Sequence, residues 1–166
     1  PHNHSPHSSV ATPEKLGMSL PAPLQLPPNI VAKFPFVRII GNRALVSGHG
    51  PLNADGTFAT HLFGTVGQDL DLEQANEAAH LTGLAILRTL KDELGSLDRI
   101  TAWGRVMGMV NCTADFVQQT PVIDAFSDLI NQAFPPEVAA HSRAAVGMIS
   151  LPMGMPVEIE TEVYFE

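Results

Sequence analysis

Cysteine is all but missing. Cys112 is the only one in 166 residues, so no intrachain disulfide can form and a disulfide-stapled scaffold is excluded. That scarcity fits a reducing compartment. Basic side chains are scarce too: 9 Lys and Arg stand against 17 Asp and Glu, for a formal net charge of −8. No Lys/Arg cluster offsets the excess, so a phosphate backbone would meet net repulsion and no nucleic-acid partner is expected. No apolar run approaches the roughly 20 residues that a membrane-spanning helix needs, and the amino terminus lacks the apolar stretch of a secretory leader. No membrane partner is expected, and the expected location is cytoplasmic. Metal-ligand spacing is also wanting: His80 sits mid-helix with Leu84 four residues on, so no metal site is expected. What the chain does have is apolar content. At 45% hydrophobic residues it can bury a core, and its length suits one domain with an extra terminal segment.

Residues 1–29 read as a flexible or extended arm and residues 30–166 as a single domain. Within the arm, residues 1–10 (PHNHSPHSSV) are biased and without apolar period. They fit a tail or an expression tag better than a site for a metal on His2, His4 and His7. Thr12 and Pro13 could open a helical turn, and Pro21, Pro23, Pro27 and Pro28 force an extended path. Val37 to Ile40 and Ala44 to Ser47, around Gly41-Asn42, read as a β-hairpin. Leu72 to Leu94 has a broad apolar stripe, a cap at Asp69 or Asp71 and a stop at Gly95: a long helix. Ile100 to Asn111 reads as a strand. A second helix opens at Thr120-Pro121, with Thr120 as cap, and ends at Pro135-Pro136. Ser142 to Ile149, then a Pro/Gly turn, then Val157 to Val163 complete the order β-β-α-β-α-β-β. This is an α+β fold: a mixed, mostly antiparallel sheet with two helices on one face. Its other face, partly apolar, invites self-association.

The stretch from His141 to Glu162 draws the functional question. In Val157 to Val163 the period of two sets Glu158, Glu160 and Glu162 on one face, opposite Val157, Ile159, Thr161 and Val163. Arg143 opens the strand before. An arginine and a carboxylate on neighbouring strands could bind a small acid and position a water. By pattern alone the ladder is more often a solvated face and Arg143 more often a surface ion-pair partner. The same holds for Arg105. His49, after the hairpin, could act as a general base, but no partner that would tune it is visible, so orientation or hydrogen bonding is the expected role.

The run SRAAVGMISLP (142–152) followed by PVEIE (156–160), with SGHGPLN (47–53) and GTVGQDL (64–70) upstream, resembles the YjgF/RidA family of imine and enamine deaminases, once called endoribonuclease L-PSP. The likeness covers roughly residues 30–166. It implies a chorismate mutase-like homotrimer whose sheets face a common centre, with ligand clefts between subunits and no cofactor. The activity it implies is hydrolysis of reactive 2-imino or enamino acids to 2-oxo acids and ammonia. Arg143 would grip the carboxylate, Glu158 would hold the water, and the backbone of Ala145 would face the imine; Phe36, His49 and Asp124 would line the cleft. Ala145, Phe36 and Asp124 stand where well-known deaminases carry cysteine, tyrosine and asparagine. A trimer that binds a small carboxylate without turnover is the alternative, and endoribonuclease activity a more distant one.

Overall fold

The computed structural model describes Thr12, Glu14 and residues 16–166; the histidine-bearing tail and Pro13 lie outside the described residues. Two strands, β1 (Val37–Ile40) and β2 (Arg43–His49), pair antiparallel across the Gly41-Asn42 turn. Helix α1 (Leu72–Leu94) begins in a capping box: Asp71 accepts from the Gln74 amide, and the Gln74 side chain accepts from the Asp71 amide. Two otherwise orphaned amides are thereby satisfied. Asp71 is the cap; Asp69 instead accepts from the Thr65 amide. Strand β3 (Ile100–Asn111), helix α2 (Gln119–Ala133), a one-turn helix α3 (Pro136–Ala139), β4 (Ser142–Met148) and β5 (Val157–Phe165) follow.

Three details differ from the sequence reading. Helix α2 starts one residue before Thr120, and no side chain caps it, so Thr120 is not the N-cap. Pro136 does not merely end α2: it starts α3, where its missing amide costs nothing. Most consequential is the strand order, β1-β2-β5-β3-β4. Strands β4 and β5 are not neighbours. β5 runs antiparallel to both β2 and β3, while β4 lies parallel to β3 on the far edge. A parallel neighbour needs a crossover, and α2 with α3 supplies it. The sheet is mixed and mostly antiparallel, and both long helices cover one face.

That covered face holds the core. Ile86, Leu87 and Leu90 of α1 and Phe126, Leu129 and Ile130 of α2 are buried against Val106, Val110, Ile159 and Val163 of the sheet. Each such burial is worth about 1.5–3 kcal/mol. Trp103 packs edge-on against Phe126 and Phe134, with ring centroids 5.9 and 5.7 Å away. Gly83 lets the two helices approach: a Cβ there would lie 2.7 Å from a Leu129 methyl.

The register sorts the remaining residues by face. Val106 pairs with Thr161 and with Arg143, and Gly108 with Ile159 and Ala145, so Arg143 and Ala145 belong to the helix-covered face. Met109 pairs with Glu158, Met107 with Glu160, and Leu45 with Glu162; these line the open face. A shallow concavity of about 240 Å³ lies there, lined by Leu45, Val46, Arg105, Met107, Glu160, Thr161 and Glu162. Glu162 forms an ion pair with Arg43, so the glutamate ladder is not simply a solvated stripe. No described helix is long and apolar enough to cross a membrane.

Candidate functional site

The residues singled out in the sequence fall into three places within one chain. The first is the junction of β4 and α2. Arg143 leaves the edge strand toward the helix, and its side chain is only 16% exposed. Its Nη1 donates to Asp124 Oδ1 at 2.9 Å and to Ser127 Oγ at 3.0 Å, and its Nη2 to the Thr120 carbonyl at 3.4 Å. The ragged start of α2 thus has a use, because a carbonyl in its first turn meets a guanidinium. A guanidinium carries five N–H donors. Three are committed to α2, which leaves two, enough for one bidentate carboxylate. Asp124 is 51% exposed, so its charge is shared between Arg143 and solvent. Ala145 lies two residues along β4 on the same face.

The second place is the β1–β2 end. His49 is buried, at 5% exposure. Its Nδ1 donates to the Ser47 carbonyl at 2.6 Å, and its Nε2 meets the Thr89 hydroxyl of α1 at 2.8 Å. A carbonyl can only accept, so Nδ1 carries the ring proton and Thr89 donates to Nε2. Burial pushes its pKa below the usual histidine value, and the ring is a neutral, fully bonded core group. Both ring nitrogens are bonded inside the chain. Phe36 packs edge-on against it at 6.0 Å and borders a cleft of about 330 Å³ with Pro23, Leu24, Pro35, Thr89, Asp92 and Glu93.

The third place is the open face, where Glu158 lies half-buried. Burial, and then the negative charge of Glu160, raise its pKa above the usual glutamate value. Gly48 makes room for it: a Cβ there would sit 2.2 Å from Glu158 Oε2, so any side chain would displace the carboxylate. The SGHG and VEIE motifs, more than a hundred residues apart, are thereby one feature, with Gly48 as the floor beneath Glu158.

One chain therefore brings together Arg143 with Asp124, Phe36 with His49, and Gly48 with Glu158. It does not bring Arg143 to Glu158. They lie on opposite faces, two strands apart, and the expectation of a cation and a carboxylate on neighbouring strands is corrected by β3 between them. Ser127 and His141 were not found in the sequence, although Ser127 stands three residues after Asp124 on one helix face, a spacing that could have drawn attention. Among the described residues no group of three His, Cys, Asp or Glu is placed to hold a metal.

No family model matches the chain. Individual proteins do. Protein TCP17 of Trypanosoma cruzi is 33% identical over 150 residues, covering 90% of this chain and 89% of that protein. A solved structure from Shewanella oneidensis, described as a candidate endoribonuclease, superposes with a TM-score of 0.82 at 23% identity, covering 93% of this chain and 99% of that one. RidA from an Antarctic Psychrobacter shares the fold at a TM-score of 0.53 and 16% identity, over 89% of this chain and 94% of its own. The chain has the fold of the YjgF/RidA proteins. In this chain the SGHG turn, on β2, and the Arg143 strand, on the far edge, lie at separate places in one sheet.

Proposed function

We propose that this protein hydrolyses small reactive 2-imino or enamino acids to 2-oxo acids and ammonia, working as a homotrimer. In this reading Arg143 of one subunit and Glu158 of its neighbour face each other across a shared cleft. The observation that carries it is the state of Arg143: an edge-strand guanidinium, mostly buried, held by α2 and with two donors uncommitted. Glu158 supports it from the other side. A carboxyl whose pKa is raised toward neutrality is a better general base than an ordinary glutamate.

The chemistry asks little of the protein. Two N–H groups of Arg143 hold the substrate carboxylate, and the adjacent imine carbon lies near the backbone of Ala145. Glu158 takes a proton from water as the oxygen bonds to that carbon of the protonated imine, and the C=N π pair becomes the nitrogen lone pair of the carbinolamine. The carbinolamine then gains a proton on nitrogen, loses one from oxygen, and releases ammonia as the C=O bond forms. An enamine must first tautomerise to the imine. No cofactor enters the balance.

Asp124 favours a second reading, binding without turnover, because it spends part of the Arg143 charge inside the chain. The endoribonuclease description attached to the Shewanella relative is less well supported. The net charge of −8 repels phosphate, and the open face carries Glu158, Glu160 and Glu162.

Semicarbazide-trapped hydrolysis of 2-iminobutyrate and related imines, wild type against Arg143→Ala, tests the proposal. Acceleration by the wild type that falls by about 100-fold or more in the variant is expected, since a charged contact made in the transition state is lost. No acceleration of any imine by the wild type would leave the binding reading standing in its place.

A further inference from the structure

Behind Arg143 stand two residues that the family resemblance does not involve. Ser127 lies on α2, and His141 precedes β4. His141 Nδ1 is 2.7 Å from the Ala139 carbonyl, an atom that only accepts, so Nδ1 bears the proton of the neutral ring. Nε2 must then accept, and its partner 2.9 Å away is Ser127 Oγ. The Ser127 proton is committed to His141, which turns the oxygen lone pairs toward Arg143 Nη1 at 3.0 Å. Each hydrogen along the chain from Arg143 through Ser127 and His141 to Ala139 has one place to go.

A serine inside a helix ordinarily has another choice, returning its proton to the carbonyl one turn back. Here His141 takes that proton, and the hydroxyl becomes a fixed acceptor for a cation instead of a free rotor. Asp124 holds the same Nη1 from the next turn of α2. With both hydrogens of Nη1 spoken for, the guanidinium plane is set by two partners rather than one.

We propose that Ser127 and His141 form a positioning relay for Arg143, fixing the orientation in which its two free donors meet a ligand carboxylate. This rests on the reading of Arg143 as the carboxylate anchor. A merely structural link between α2 and β4 would affect stability; a relay affects affinity, and its two members act in series.

The experiment is calorimetric titration of the intact protein with 2-oxobutyrate, the product expected of the proposed reaction, alongside ¹⁵N NMR of the His141 ring. Ser127→Ala should weaken binding about tenfold, the scale of a lost hydrogen bond to a charged group. Ser127→Thr, which keeps the hydroxyl, should restore most of it. His141→Ala should weaken binding in the same direction, and the double variant should bind no worse than Ser127→Ala alone, because neighbours acting in series are not additive. In the wild type the ring should be the Nδ1–H tautomer, with an Nε2 resonance that shifts in Ser127→Ala. An Nε2–H tautomer, or losses that add, would overturn the relay. A wild type that binds while ignoring Ser127→Ala overturns the relay alone. A wild type that binds no 2-oxo acid overturns the anchor reading and the relay with it. Binding without imine turnover, with the pattern above, refutes the hydrolase and keeps the relay.

Discussion

Two histidines in this chain make the same pair of hydrogen bonds. Each ring gives its Nδ1 proton to the carbonyl two residues back, Ser47 for His49 and Ala139 for His141, and each receives at Nε2 from a helix hydroxyl, Thr89 on α1 and Ser127 on α2. The difference is what lies beyond the hydroxyl. Past Thr89 is the cleft beside Phe36, with no cation bonded to the hydroxyl among the described contacts, and His49 is a tie between β2 and α1. Past Ser127 is a guanidinium with donors to spare. The same local geometry stabilises the fold at one end of the sheet and aims a charge at the other. A hydrogen-bonded histidine says little about function until its chain of partners is followed to its end.

The comparison can be broken in several ways. The largest effect should come at the Arg143 end, where the alanine variant loses activity about 100-fold or more. Next is stability at the other end. His49→Ala leaves a void and orphans Thr89, and should cost about 2–4 kcal/mol in chemical denaturation, whereas His141→Ala should cost less and act on affinity. Equal stability losses at the two would erase the distinction.

Acid should bear on the His49 end as well. Burial lowers the His49 pKa in the fold, so below about pH 6.5, the ordinary histidine value, the unfolded chain binds more protons than the native one. Stability should therefore fall as pH drops from about 6.5 toward the lowered native value. His49→Leu should flatten that slope. A slope unchanged in the variant would assign it to other groups. The smallest effect concerns Glu158. Because it must be ionised to act as a base, the acid limb of the rate profile should lie above that of an ordinary glutamate, and Glu160→Gln, which removes the lesser of its two causes, should move the limb modestly downward. Movement upward would contradict that assignment.

Much of the fold was legible locally. The α1 stripe ended at a glycine and began at an aspartate cap, and both ends stand where the pattern put them. β3 spans Ile100–Asn111, the bounds read from the sequence. The partners of β4 and β5 were not legible, because a Pro/Gly turn between two strands reads like a hairpin whichever neighbours the strands later find. With that adjacency went the relation of Arg143 to Glu158, since facing depends on register and not on distance along the chain. Gly48 was legible as part of the SGHG motif, but not as the space beneath a carboxylate 110 positions on. Ser127 and His141 left the weakest trace. A serine on a half-buried helix face and a histidine before a strand are ordinary, and only the crossover from α2 to β4 makes them a pair.

The central claim is that Arg143 and Glu158 act together across a subunit boundary because one chain holds them apart. Arg143→Ala and Glu158→Gln, each inactive alone, can be unfolded and refolded together so that mixed assemblies form. If the claim holds, imine hydrolysis returns in the mixture, because some clefts receive an intact Arg143 from one chain and an intact Glu158 from the other. If mixed assemblies form and no activity returns, the two residues do not share a cleft between subunits, and the account is wrong.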